Sequence, residues 1–330
     1  MSPGSGGVGI TGTAHQTAAA ARGFLAGLLL SEYFAVWLSL ACFAVLAPVT
    51  GGLASPRNLA NMFSNMLPLA VVATGQTFVL IAGGIDLSVT SVIAMASVCG
   101  GLAMTSTGGA AAGIAVMLAT GAGIGLLNGL SVTRLAMPPF MVTLTSMMFF
   151  SGLAIWLTRS QNIYNLPPAF LAVGRGNWPV LIAGAAAAGA HLALSRTLFG
   201  QRLFAVGMNT RAARVSGIPV GRVVVLAYLA SGVCAAVASI LYSARLETGS
   251  PVMGQRILLD VIAAAVIGGT SLFGGRGKVG WTLGGVVFVT LIDNAVNLMG
   301  LAFFMVLTVK GLVILAAALL DRARSSYAGR

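Results

Sequence analysis

An all-α polytopic membrane protein with about ten transmembrane helices is the fold class this sequence predicts. Three observations predict it. Of 330 residues, 58% are hydrophobic and only 7% are charged, against roughly 25% charged in a soluble domain. The apolar residues fall in runs of roughly 20, the length that crosses a bilayer core. The chain also holds 44 glycines at a mean hydropathy of +0.97, a composition that suits helices packed closely in lipid.

The net charge of +12 does not point to nucleic acid. The basic residues lie in the gaps between apolar runs and are not interleaved with exposed aromatics, so the positive-inside rule accounts for them. Cys42, Cys99 and Cys234 sit within apolar runs and far apart, which gives neither a disulfide framework nor metal spacing.

In chain order, residues 1–21 are rich in Ser, Gly, Thr and Ala without apolar periodicity and read as a disordered cytoplasmic tail. Gly7, Gly9 and Gly12 fit a dinucleotide fingerprint by letter, but no strand precedes them. The apolar run after Arg22 is as long as a span, which fits a signal-anchor helix better than a cleaved leader. A single permease domain over 22–325 then holds ten runs, at 30–49, 60–82, 87–105, 109–131, 139–158, 177–195, 223–243, 257–273, 279–299 and 301–320. A cytoplasmic tail, 326–330, closes the chain. The eighth run and its flank carry Gly268, Gly269, Gly274 and Gly275, which makes it the candidate re-entrant segment.

Charge sets the orientation. With ten spans and a cytoplasmic N-terminus, twelve of the 18 basic residues fall inside and five outside, with Lys310 in the tenth run. That bias puts both termini, and the basic loop 196–222, in the cytoplasm. Arg202, Arg211, Arg214 and Arg222 lie in this loop. Within it a short helix is expected from Asn209 or Thr210 as cap to a stop at Gly217-Ile218-Pro219.

No Walker A sequence is present: Gly274-Gly275-Arg276-Gly277-Lys278-Val279 lacks the four-residue spacer and the Ser or Thr. Any ATP used must be bound by another chain, so no cofactor is expected here and Mg-ATP belongs to a partner. Ionisable residues in spans are the usual functional markers in a bilayer. Asp86, at the inner junction of spans two and three with Gly84 and Ser88, reads as an N-cap of the third span or as a partner for an arginine of the central loop. Asp260 and Asp293 read either as lining an aqueous path or as buried hydrogen-bonded groups. Lys310 is placed to pair with Asp293. Gly121, Gly123 and Gly125 are expected to let two helices approach closely. Asn128 and Asn294 are each followed seven residues later by Leu-Ala, on opposite faces of the membrane, the pattern an inverted repeat would leave.

Gly83-Gly84-Ile85-Asp86-Leu87-Ser88-Val89, Gly207-Met208-Asn209 with Ala212-Ala213-Arg214-Val215-Ser216-Gly217-Ile218, and Leu259-Asp260 followed by Gly268-Gly269-Thr270-Ser271-Leu272-Phe273-Gly274-Gly275 resemble the permease subunits of ribose-type ATP-binding cassette sugar importers, of the ribose and branched-chain amino acid permease superfamily. The resemblance runs from about 55 to 322 in the same order. It implies a multi-pass protein of the bacterial inner membrane, a cytoplasmic ABC ATPase and a periplasmic sugar-binding protein as partners, and a second copy or a paralogous permease beside it. It also implies that Asn209, Arg211, Ala212, Ala213, Arg214, Ser216, Gly217 and Ile218 form the segment that couples to the ATPase. Arg211 and Arg214 would offer guanidinium forks to its carboxylates, and Ala212, Ala213 and Ile218 an apolar contact. The chain departs from the family at Ile257-Leu258, Asp293 and Ala302-Phe303-Phe304-Met305, so the sugar is unassigned. Gln76, Asn128, Asp260, Asn294 and Asn297 are the candidate residues of a translocation path for an uncharged sugar or polyol. The competing reading is an ion-coupled secondary transporter that titrates Asp260 and Asp293.

Overall fold

The computed structural model describes residues 34–300 and eight further positions between 305 and 319. The two tails, Glu32, Lys310 with its expected partnership, and most of the tenth run lie outside the described residues. Within residues 34–300, besides the 3-10 turn Ala172–Gly174, the α-helices are α1 (Phe34–Leu46), α2 (Pro56–Ile81), α3 (Val89–Thr107), α4 (Ala110–Arg134), α5 (Pro139–Thr158), the single turn α6 (Pro168–Leu171), α7 (Trp178–Arg196), α8 (Leu198–Met208), α9 (Thr210–Val215), α10 (Val220–Leu246), α11 (Leu258–Ile267) and α12 (Val279–Leu298).

Seven described helices, α2, α3, α4, α5, α7, α10 and α12, are long and apolar enough to cross a membrane, not the ten expected. The first run is described as 13 helical residues. The eighth forms the ten-residue α11, about 15 Å long and so about half of a hydrocarbon core. The chain reaches α11 by folding back into the protein. Ser250 N donates to Ser97 Oγ (3.0 Å), and a Cβ on Gly254 would touch Ile93, four residues nearer the start of α3. After α11, Gly269, Gly274 and Gly275 adopt positive φ, which ends the helix.

Residues 67–81 of α2 are all buried, so α2 is the central element. It packs on α10; α4 lies along α10 and α12 along α2, while α3 lies on α4 and α11 on α12. The α4–α10 contact rests on glycine. A Cβ on Gly121 would collide with the Gly232 carbonyl, one on Gly125 with the Tyr228 carbonyl, and one on Gly129 would come within 2.8 Å of Val225 Cα. Those three positions, four apart, form one helix face. Gly121 and Gly125 thus have the close-approach role expected of them. Gly123 does not, because a Cβ there meets nothing. Gly125→Val should therefore cost about 3 kcal/mol or more by overpacking, read as a lower thermal midpoint in detergent, with Gly123→Val as an unaffected control.

The ends of the helices sort into two groups. At one end, Gly275 N donates to Ile81 O (2.9 Å) and Gly207 lies against both backbones. At the other, Asn58 pairs with Asn294, Ile163 bridges to Gly249, and Arg175 pairs with Glu247 (2.6 Å).

Candidate functional site

The short helix expected after Asn209 forms in the loop between α7 and α10, preceded by a second helix, α8, that was not expected. Thr197 caps α8, accepting from Gly200 N (3.3 Å). Asn209 Oδ1 caps α9, accepting from Arg211 N (3.1 Å) and Ala212 N (3.0 Å). At the far end Ile218 N donates to Ala213 O (3.0 Å) and Gly217 N to Arg214 O (3.1 Å), with Gly217 at φ +78°. That is a Schellman closure. A helix of six residues is marginal without such caps, so the loop spends residues on holding its shape.

Arg211, Ala212, Arg214, Ser216 and Gly217 are exposed. Ala213 is not: at 4% exposure it packs inward, in one cluster with Leu203, Val206, Val223 and the half-buried Ile218. For Ala213 the expected apolar contact with a partner is corrected accordingly, while Ile218 is only half-buried. They anchor α9 to the bundle and leave its outer side free. The outward apolar groups are Met208 (77% exposed) and Val215 (90%), which were absent from the expected set. Placing Ala213 inward points to Val215, because positions two residues away on a helix, 211 and 215, lie on the opposite face; Met208 ends α8 and does not follow from it.

Asp86 is not at the surface. Gly83 (φ +84°) turns the chain after α2, with Gly84 N donating to Val79 O and Gly83 N to Leu80 O (both 2.9 Å). The segment 82–88 then folds back along α2. The Gln76 amide, oriented to match its neighbours, donates to Asp86 O and accepts from Asp86 N (both 3.1 Å). Five residues of helix set that level about 8 Å in from Ile81. The Asp86 carboxyl accepts from Ser88 N (3.0 Å), Ser88 Oγ (2.6 Å) and Ser231 Oγ (2.8 Å). Asn128 Nδ2 donates to Ser88 Oγ (2.8 Å). Gln76, Asp86, Ser88, Asn128 and Ser231 are all buried, and together they join α2, α3, α4 and α10. The N-cap reading of Asp86 is corrected: Ser88 holds the N-cap position of α3, and Asp86 accepts the Ser88 N–H in the turn just ahead of it. No arginine reaches it, since Arg202, Arg211, Arg214 and Arg222 are all exposed.

The remaining predicted residues are scattered. Asp260 is buried in the first turn of α11. Asn294, near the end of α12, exchanges hydrogen bonds with Asn58 (2.7 and 3.1 Å). The exposed Asn297 donates to Asp293 O (2.7 Å). The five candidate path residues are therefore spread over both ends of the bundle.

Comparison with known proteins gives the site a context. The family model described as a branched-chain amino acid transport system / permease component matches residues 58–320. The ribose import permease protein RbsC of Bacillus subtilis is 38% identical over 82% of this chain and 86% of that protein. The L-arabinose transport system permease protein AraH of Escherichia coli is 33% identical over 76% and 78%. The Escherichia coli ribose import permease RbsC is 32% identical over 94% and 99%. No solved structure matches.

Proposed function

This chain belongs to the branched-chain amino acid transport system / permease component family, a family of transport subunits rather than enzymes, and we propose that it is the membrane subunit of an ATP-binding cassette sugar importer. In that role it passes a monosaccharide or related polyol from a periplasmic binding protein to the cytoplasm, and a separate ATPase subunit supplies the energy. A second copy, or a paralogous permease, completes the pore in the bacterial inner membrane.

One observation carries this reading: α9 is a basic helix, capped at both ends, held by a buried Ala213 and otherwise presented outward. A helix that served only as a connection would need none of these devices. Charge supports placing it in the cytoplasm. Arg134, Arg196, Arg202, Arg211, Arg214, Arg222, Arg276 and Lys278 flank the helix ends on its side, against Arg57, Arg159, Arg175 and Arg245 on the other.

The packing supports an inverted repeat as well. If α2, α3 and α4 correspond to α10, α11 and α12, the pairs α4–α10 and α12–α2 are equivalent, as are α3–α4 and α11–α12. Asn128 and Asn294 each bond a residue at the start of another helix, Ser88 at α3 and Asn58 at α2, although this correspondence does not pair those two contacts with each other. Two such half-sites at opposite ends suit a carrier that opens to one side at a time. Asn294 and Asn297 would meet the sugar first. Gln76 and Asn128 would be reached when the Asp86 junction loosens.

The test is reconstitution in proteoliposomes, following labelled ribose and arabinose. Uptake is expected to need the ATPase subunit, ATP and the binding protein together. Full-rate uptake driven by an ion gradient alone would remove this reading in favour of a secondary transporter.

A further inference from the structure

The α11–α12 turn carries a feature that the coupling loop does not account for. Phe273 is 94% exposed and its neighbour Leu272 41%. The turn that presents them is not loose. Ser271 N donates to Arg276 O (3.0 Å), Gly274 N to Ser271 O (3.4 Å), and Phe273 N to Ser271 Oγ (3.2 Å). Gly274 (φ +89°) and Gly275 (φ +72°) take backbone shapes that other residues rarely adopt. Below the turn, Thr270 is buried against Thr282 (3.4 Å).

Its position is fixed relative to the coupling loop. Gly275 N bonds Ile81 O (2.9 Å). A Cβ on Gly275 would lie 2.8 Å from Met208 Cγ and 3.0 Å from Met208 N, and one on Gly274 2.9 Å from Gly207 O. The end of α8 and the turn 271–276 therefore meet backbone against backbone. The exposed Met208 lies at the seam, and the exposed Arg276 adds to Arg211 and Arg214.

We propose that the turn 271–276 is a second docking element for the ATPase subunit, with Phe273 as its apolar anchor. This rests on the coupling role given to α9 above. The end of α8 and the turn, in backbone contact, present adjacent apolar groups among arginines. Together they fit an apolar pocket rimmed by carboxylates on the ATPase. A rigid aromatic in such a pocket concentrates binding energy, because little side-chain freedom is lost. The turn also touches the α2 end that leads to the Asp86 junction, so force applied at Phe273 reaches the α2–α3 break without passing through α9.

The experiment uses full-length chain with Cys42, Cys99 and Cys234 replaced by Ala, and a single cysteine introduced as Phe273→Cys or Val215→Cys. Labelling by a membrane-impermeant maleimide is followed in inside-out vesicles, with the ATPase subunit bound and after it is stripped off. At least tenfold slower labelling of both cysteines with the ATPase bound is the expected result. If Val215→Cys is shielded and Phe273→Cys is not, α9 keeps its role and the turn loses its own. If neither is shielded, the coupling reading fails and this proposal goes with it. If Phe273→Cys resists labelling with the ATPase absent, lipid or a second copy covers the turn, which overturns the proposal. In detergent, Phe273→Ala should weaken ATPase binding at least tenfold and Phe273→Trp should retain it; equal affinity for all three would also overturn it.

Discussion

Arg214→Glu is expected to lower ATP-driven uptake by at least thirtyfold while leaving the protein folded and inserted. Arg214 is exposed in the last turn of α9, where a cation also complements the negative end of the helix dipole. Reversing its sign costs little within the chain, because the side chain is exposed there. The loss falls on the partner. Removing one half of a desolvated charge pair at an interface costs about 2–5 kcal/mol, and a reversal adds repulsion. Arg214→Lys should fall between, since it keeps the charge but not the two-pronged geometry. Two readings are needed from each variant: uptake in proteoliposomes, and ATP hydrolysis by the assembled complex. Hydrolysis that continues while uptake stops is the signature of lost coupling. Uptake at the wild-type rate would mean that α9 does not carry the motion.

The contrast with Ala213 sharpens that expectation. Arg211, Arg214 and Ala213 lie within four residues, yet two arginines face outward and the alanine faces the bundle. On the proposed coupling role, this inward anchor would let α9 act as a lever rather than a tether. Movement of α9 must drag Leu203, Val206 and Val223 with it, and these belong to α8 and α10. Through Gly207 the same movement bears on Ile81 at the end of α2.

Much of this was legible in the residues, for reasons that can be named. The span expected at 139–158 is α5 residue for residue, because Pro139 fixes its start and the apolar run ends at Arg159. Gly217 could be read as the close of α9 because a left-handed cap strongly favours glycine. The number of spans was only partly legible, although the glycines around 268–275 already marked the eighth run as the re-entrant candidate. A stretch such as Leu258 to Phe273 is equally apolar whether it crosses the bilayer or turns halfway, and the glycines that turn it serve for close packing elsewhere. The facing of Ala213 was hidden too, since six residues are too few to show a periodicity. Asp86 was visible as a polar group at the junction of two spans, but its burial was not: its partner Ser231 lies 145 residues away, and no local pattern announces such a contact.

Asp86 is where the second large effect is expected. Asp86→Ala would strand the Ser88 N–H and the hydroxyls of Ser88 and Ser231 in a site that water does not reach, and would loosen Asn128 through Ser88. At about 1–3 kcal/mol for each buried group left unpaired, the loss should exceed about 3 kcal/mol and appear as a sharply lower thermal midpoint or failed insertion. Asp86→Asn tells the two possible uses of the carboxyl apart. Its Oδ1 can still accept from Ser88, and its Nδ2 can donate to Ser231 Oγ once that hydroxyl turns round to accept. The shape and the bond count are then preserved, and only the ability to carry charge is gone. A structural junction predicts that Asn restores most of the midpoint and most of the uptake. Restored stability with abolished uptake would mean that the carboxylate itself takes part in transport. An alanine variant as stable as the parent would mean that the junction does not hold α2, α3, α4 and α10 together. The asparagine variant is the more informative of the two, because it removes the charge without removing a contact.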